Sequence, residues 1–387
     1  MIRRLFAFTS LIVLTMVLTN NSLAQREGFI PVEGASLKAK QDAATSQGRA
    51  RQANFWVAYA FDVRPGVAID YEFNNGKGGT TIVNGASIST GSKVETRNVG
   101  VFLLYEPGGS VQSVELYNLD RRRDYSGYKV YWLGRAGNEE SLSLLRGLVE
   151  SNQTNKVSEK AVAAVALHDD ARVDNMLEDF ARHSTSEKVR STSVFWLGQT
   201  PGHHAYLGEL VRNEQESVKL RKEAAFSIGA GRDPQAMATL QNLFSSVSDR
   251  EVKKQIIFAA SINRGEGPDG DSKKRDDAGV DFLIKVAESD PDREVKKQAL
   301  FWLGQKAGQR SLDALGKVIE GSDDDTEVQK QAVFAISQRP KDEAVPLLIK
   351  IARTHQKPEV RKQAIFWLGQ TGDERALEFF KEVLTNK

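Results

Sequence analysis

Over roughly the last two thirds of the chain, apolar residues return at the first, fifth, eighth and ninth places of a recurring segment, as in Val295, Ala299, Trp302 and Leu303. That spacing gathers them on one helical face. The segment from Val295 to Gln305 is nearly duplicated from Val360 to Gln370, and weaker copies start at Tyr125, Val157, Val189, Leu220, Val252 and Val328. Successive starts lie about 32 residues apart, which is room for two short helices and two turns. A second apolar pattern follows each marker helix, for example Leu312, Leu315, Val318 and Ile319, or Ala376, Leu377, Phe380, Val383 and Leu384. Each unit reads as a helical hairpin that buries its apolar face only against a neighbour.

Glycine closes several marker helices, at Gly134, Gly198, Gly229, Gly304 and Gly369, where a left-handed cap is expected. Ala166, Ser261 and Ser337 take that place in the remaining units. The step from Val252 to Val295 is about 11 residues longer than the others, and the polar run from Asn263 to Asp277 absorbs the surplus as a loop. Acids just before the marker valines, Glu251, Glu294, Glu327 and Glu359, sit where the helix dipole favours negative charge.

Upstream, the period changes to that of strands. Phe55 to Phe61 and Val67 to Phe73 read as a hairpin about Arg64-Pro65-Gly66, and Val101 to Tyr105 with Val111 to Tyr117 as another about Pro107-Gly108-Gly109. Asn74 to Gly79 reads as the loop joining them. The expected organisation is a leader over 1–24, a mobile arm with one helical turn or two over 25–53, a small antiparallel β cap over 54–120 and the repeats over 121–387. The cap would cover the first repeat's open apolar end.

The recurrent Val-Arg/Lys, Ala and Leu-Gly of the marker helix, as in Val189-Arg190 with Leu197-Gly198, resemble HEAT repeats, specifically the short-unit type of phycobilisome-lyase-like HEAT proteins. The resemblance implies a mainly α fold, a right-handed α-solenoid of about eight helical hairpins, with marker helices lining the concave side. It also implies a ladder between repeats, made by an Asp before the Val and an Arg after it. Ser158 and Gln329 depart from that pattern at the basic place.

Charge and composition narrow the partners. Removing Arg3 and Arg4 with the leader leaves 51 basic and 51 acidic side chains, which argues against nucleic acid. There is no cysteine, hence no disulfide, thiolate metal site or thiol nucleophile. The leader itself, Arg3-Arg4 followed by an apolar stretch from Leu5 to Leu18 and then Ser22-Leu23-Ala24, has the pattern of an export signal cleaved after Ala24. Its apolar run falls short of the roughly 20 residues of a spanning helix. The mature protein is expected to be periplasmic or secreted, without stable membrane insertion.

The eighth place alternates between Trp132, Trp196, Trp302 or Trp367 and the small Ala164, Ser227, Ala259 or Ala335, which suits interdigitated packing. The seventh place is almost always aromatic: Tyr131, Phe195, Phe226, Phe258, Phe301, Phe334 and Phe366, with Ala163 the exception. It points away from the Val, Ala and Leu positions, beside Lys254, Lys297, Lys330 and Lys362 and beside Gln255, Gln298, Gln331, Gln363, Gln199, Gln305, Gln338 and Gln370. By the resemblance, this Phe, Lys and Gln stripe lies on the concave side, similar in principle to the Trp and Asn ladders of armadillo repeats. An extended peptide suits it, because amides bridge backbone groups, aromatic faces hold aliphatic stems and ammoniums attract acidic side chains. The alternative is lateral packing of the rings, with Lys and Gln as a solvated face.

Catalytic signals are thin. The five histidines, His168, His183, His203, His204 and His355, share no repeated metal-ligand register. HEAT hydroxylases that hold two irons use paired His-Glu dipeptides, and none occurs here. Adjacent His203 and His204 are weak as a metal site, and Asp269, Asp271, Asp276 and Asp277 lack calcium-loop spacing. The expectation is a non-catalytic scaffold binding another protein or an extended peptide, with no cofactor. The alternatives are a HEAT-like lyase or hydroxylase-type enzyme and a purely structural spacer.

Overall fold

The computed structural model describes residues 28–70, 80–83, 97–120, 123–151, 155–231, 233–263, 272–321 and 325–385. The leader, the proposed cleavage site and the Asn74 to Gly79 loop lie outside these residues. Contacts divide the chain into two compact units, 1–197 and 198–387.

The first unit is built on a five-stranded sheet of β1 (Phe29–Pro31), β2 (Phe55–Asp62), β5 (Asn98–Tyr105), β6 (Val111–Asn118) and β7 (Lys129–Arg135), in the order β1-β7-β2-β5-β6. The β5–β6 hairpin forms as its sequence predicts. The other expected hairpin does not, because β2 pairs with β5 and β7, while β3 (Val67–Asp70) pairs with β4 (Thr80–Val83) in a separate two-stranded sheet. The sheet is mixed rather than antiparallel, since β7 runs parallel to both β1 and β2. Strand β7 is what the repeat pattern reads as the first marker helix. Val130, Tyr131, Trp132 and Leu133 are all buried, so both faces of the strand are covered, and a continuous apolar run serves such a strand as well as a helix.

The arm carries a longer helix than the turn or two expected, α1 (Leu37–Arg49). Ser36 caps it by accepting from Ala39 N at 3.1 Å, and Leu37, Ala44 and Gly48 form its buried stripe. Gly48 is required there, because a Cβ would lie 2.4 Å from the Phe55 ring. Helices α2 (Asn138–Glu150), α3 (Asn155–Ala166), α4 (Arg172–His183) and α5 (Glu187–Gly198) complete this part of the chain.

In the second unit two layers of helices alternate. The marker layer holds α7 (Val218–Ala230), α9 (Arg250–Ile262), α11 (Arg293–Gly304), α13 (Thr326–Ser337) and α15 (Pro358–Thr371). The other layer holds α6 (His204–Arg212), α8 (Ala236–Ser246), α10 (Ser272–Ser289), α12 (Gln309–Glu320), α14 (Lys341–Thr354) and α16 (Glu374–Thr385). With α3 and α5, seven rather than eight marker segments are helical among the described residues. The polar loop expected up to Asp277 ends earlier, where α10 begins at Ser272.

The seams between marker helices follow a two-letter rule. At Gly229 a Cβ would lie 2.3 Å from the Ala259 carbonyl oxygen, and at Gly304 it would lie 2.7 Å from that of Ala335. These glycines are needed for close backbone approach between neighbouring helices, not as left-handed caps. Where the preceding helix carries Ser261 or Ser337 instead, the following helix carries Trp302 or Trp367 at the place of Ala259 and Ala335, and those seams are less closely packed. The sixth place, Ile257, Leu300 and Val333, also joins the core, beyond the four places expected.

The charged ladder is displaced from its expected places. Asp249, Asp292 and Asp325 cap α9, α11 and α13, and Arg250 reaches Asp292 at 2.6 Å while Arg293 pairs with Asp325. In at least two units the residue after the marker position turns back on the preceding helix instead. Arg221 Nε donates to Val211 O at 2.9 Å, and Gln329 Nε2 donates to Ile319 O at 3.0 Å, so the departure at Gln329 keeps the bond.

Candidate functional site: the marker-helix face

The seventh-place phenylalanines of the second unit form one ladder of rings. Across the close seams they stack on each other, Phe226 with Phe258 at 6.0 Å and Phe301 with Phe334 at 6.4 Å. Across the wider seams a tryptophan takes the step, Trp302 lying 4.9 Å from Phe258 and Trp367 lying 5.2 Å from Phe334. Phe301 and Phe366 each meet the next residue's indole edge-on at 5.0 Å. Lateral packing and exposure turn out to be compatible, since Phe226, Phe258, Phe301 and Phe334 are half-buried and Phe366 is 54% exposed. Trp302 and Trp367 are also half-buried rather than sealed in the core. Phe195 belongs to the first unit, half-buried against Trp196 at 5.5 Å, and Tyr131 sits inside the sheet.

Each lysine of the stripe except the last carries its own counter-ion. Lys254, Lys297 and Lys330 reach Glu251, Glu294 and Glu327 at 3.0, 3.2 and 2.9 Å, one turn back on the same helix. Lys362 is exposed and makes no such pair among the described residues. The row is therefore close to neutral.

The glutamines are different. Gln255, Gln298, Gln331 and Gln363 occupy one register on four successive marker helices, all half-buried, and their amides make no hydrogen bond among the described residues. Gln305 and Gln370 are exposed and likewise unengaged, while Gln338 donates to Ser337 Oγ at 3.2 Å. A half-buried amide with both donor and acceptor unused is poised for a ligand's backbone or for water.

A second polar cluster, in the first unit, has no counterpart in the sequence reading. Tyr59 OH lies 3.0 Å from Ser141 Oγ, which lies 2.7 Å from His168 Nε2, and His168 Nδ1 lies 2.8 Å from Ala164 O. With Nδ1 donating to that carbonyl, Nε2 accepts from Ser141. All three side chains are buried, and the imidazole stacks on Phe61 at 4.1 Å. Burial pushes the imidazole down to about 4 and raises the phenol. A substrate has no access, so the cluster is a strut linking β2, α2 and the end of α3. Spacings of 82 and 27 residues gave no local signal.

The remaining histidines are spread out. His204 Nδ1 lies 3.0 Å from Asp233, and His355 spends its ring on Ile319 O at 2.8 Å and Lys357 N at 3.1 Å. His183 is exposed. No three side chains of His, Asp or Glu converge among the described residues. Two cavities, about 620 Å³ beside Phe244, Lys253 and Phe282 and about 770 Å³ between α12 and α14, lie away from the aromatic ladder. No described helix is long and apolar enough to cross a membrane.

Comparison with known proteins agrees with the repeat reading. The family model for HEAT repeats matches residues 312–387. A deoxyhypusine hydroxylase from Debaryomyces hansenii is 30% identical over 96 residues, 24% of this chain, and the match spans only 30% of that relative's length. Among solved structures, human deoxyhypusine hydroxylase in complex with glycerol covers 64% of this chain and 91% of its own at 19% identity, with a TM-score of 0.30. Yeast importin-beta covers 64% of this chain and 37% of its own at 16% identity, with a TM-score of 0.34. A designed armadillo repeat protein covers 53% and 98% at 20% identity, with a TM-score of 0.27. The similarity to HEAT repeats thus lies in the last hairpins of the chain.

Proposed function

We propose that the protein is a non-catalytic scaffold, periplasmic or secreted, that holds an extended peptide segment of another protein along the marker-helix face of its HEAT repeats. The observation that carries this reading is the column of unengaged glutamines beside a half-exposed aromatic ladder. An extended peptide has an unpaired donor and acceptor at every residue and side chains that alternate in direction, which matches amides flanked by ring faces. Because Lys254, Lys297 and Lys330 are already paired, acidic side chains add little except near Lys362. The location rests on the leader, and the repeat subtype on the unit of about 32 residues.

Selection of displayed peptides on the full mature chain tests the reading. Bound peptides should be lost on changing Gln298 and Gln331 to Leu, or Phe301 and Phe366 to Ser, and should be retained on changing residues of α12 or α14. Loss of peptide only when the chain also unfolds would assign the ladder to structure. Intact mass of protein from its host should show a chain beginning at Gln25, and a full-length chain would overturn the location.

The hydroxylase reading finds support in the short match to the yeast enzyme. The scattered histidines described above give it no site among the described residues.

A further inference from the structure

The last hairpin leaves open the very positions that earlier hairpins bury. Ile365, Leu377, Val383 and Leu384 are between 40% and 77% exposed, whereas their counterparts in the two preceding hairpins, such as Leu300 and Val333 for Ile365 or Ile319 and Ala352 for Leu384, are at most 9% exposed. Gly369 repeats the pattern. At Gly229 and Gly304 a Cβ would strike the next marker helix, but at Gly369 it would meet nothing within 4 Å. The surface is thus the seam of the stack continued by one step, with a close-approach glycine and no helix against it among the described residues. What fits is another pair of helices with an apolar row at the same spacing.

We propose that this face is covered by the same face of a second copy, tail to tail about a two-fold axis. Among the described residues, α15 and α16 of this chain themselves supply the one hairpin whose seam surface is open, and an isologous contact needs a patch that complements itself. The charges agree. With two copies of α16 packed antiparallel, Leu377 of one approaches Leu384 of the other, and Lys381 approaches Glu378, all four being exposed in the single chain. Leaving aside Phe366, which belongs to the ladder, four of the other six large hydrophobic residues that are exposed among the described residues fall in this one hairpin, a concentration expected of an interface rather than of ordinary surface.

Sedimentation velocity of the mature chain from low to high micromolar concentration should show a monomer passing into a dimer, and no larger species. Ile365→Glu combined with Leu384→Glu should hold it as a monomer at every concentration, with helix content unchanged. Since the chain has no cysteine, Leu377→Cys combined with Leu384→Cys offers a second arm should that double variant fail to fold, because the two positions face each other across the two-fold but lie two turns apart within one helix. Under mild oxidation it should link two copies, while Cys placed on the exposed α12 residue Asp313 should not. The changes at Gln298 and Gln331 should leave the dimer intact, so failure of peptide binding and failure of dimerisation are separable. A chain monomeric throughout, a dimer that survives the paired Glu substitutions, or a face occupied only by some other protein would each overturn the proposal.

Discussion

The two units employ aromatic side chains in opposite ways. In the first, Trp56, Phe102 and Trp132 form a buried cluster with Phe29, Tyr117 and Tyr125 packed against it, drawn from strands far apart in the chain. In the second, single phenylalanines from successive repeats make a half-exposed row whose members are close to one unit apart in sequence. Closure from distant segments leaves a compact interior in which every contact depends on the whole sheet. Iteration leaves an extended surface in which each contact depends on its neighbours alone.

The strongest test of that contrast is steric. Gly229→Ala forces a Cβ against the Ala259 backbone and should cost more than about 3 kcal/mol, read as a lowered midpoint in urea and as fast hydrogen exchange confined to α7 and α9. Uniform loosening of the second unit would show that its repeats do not behave as neighbours.

The first unit should respond to acid in a way the second does not. His168 is neutral when folded, with its pKa lowered from 6.5 to about 4, so the unfolded chain binds its proton first as pH falls. Stability is full above about pH 6.5 and should drop by about 3 kcal/mol by pH 4, and His168→Gln should flatten that part of the profile. An unchanged profile would remove the strut from the account.

Trp302→Ala should cost about 2 to 3 kcal/mol, less than a sealed tryptophan because the indole is half-buried, with damage centred on the wider seam between α9 and α11. Gly316→Ala, by contrast, should stabilise by up to about 1 kcal/mol, since a Cβ there meets nothing and alanine favours the helix. Set against Gly229→Ala, it separates a glycine needed for contact from one that touches nothing. Smallest of all, Lys297→Gln should shift stability by less than about 0.5 kcal/mol, because its pair with Glu294 lies at the surface.

The sequence by itself determined the helical hairpins, their register and the row of Phe, Lys and Gln, because a helical period repeated many times is a local signal that tertiary context does not need to supply. It also carried the seam rule, as Gly followed by Ala and Ser followed by Trp one unit later, although glycine's purpose stayed hidden, since the same residue serves a left-handed cap and a close contact. Only the tertiary structure decided that Lys129–Arg135 is a strand between β1 and β2, because an apolar run buried on both faces satisfies either period. It alone joined Tyr59, Ser141 and His168, whose separations exceed any spacing that a local pattern encodes. And it alone placed Glu251, Glu294 and Glu327 on the lysines, turning an apparently cationic stripe into a neutral one, because the pairing depends on rotamers rather than on residue type.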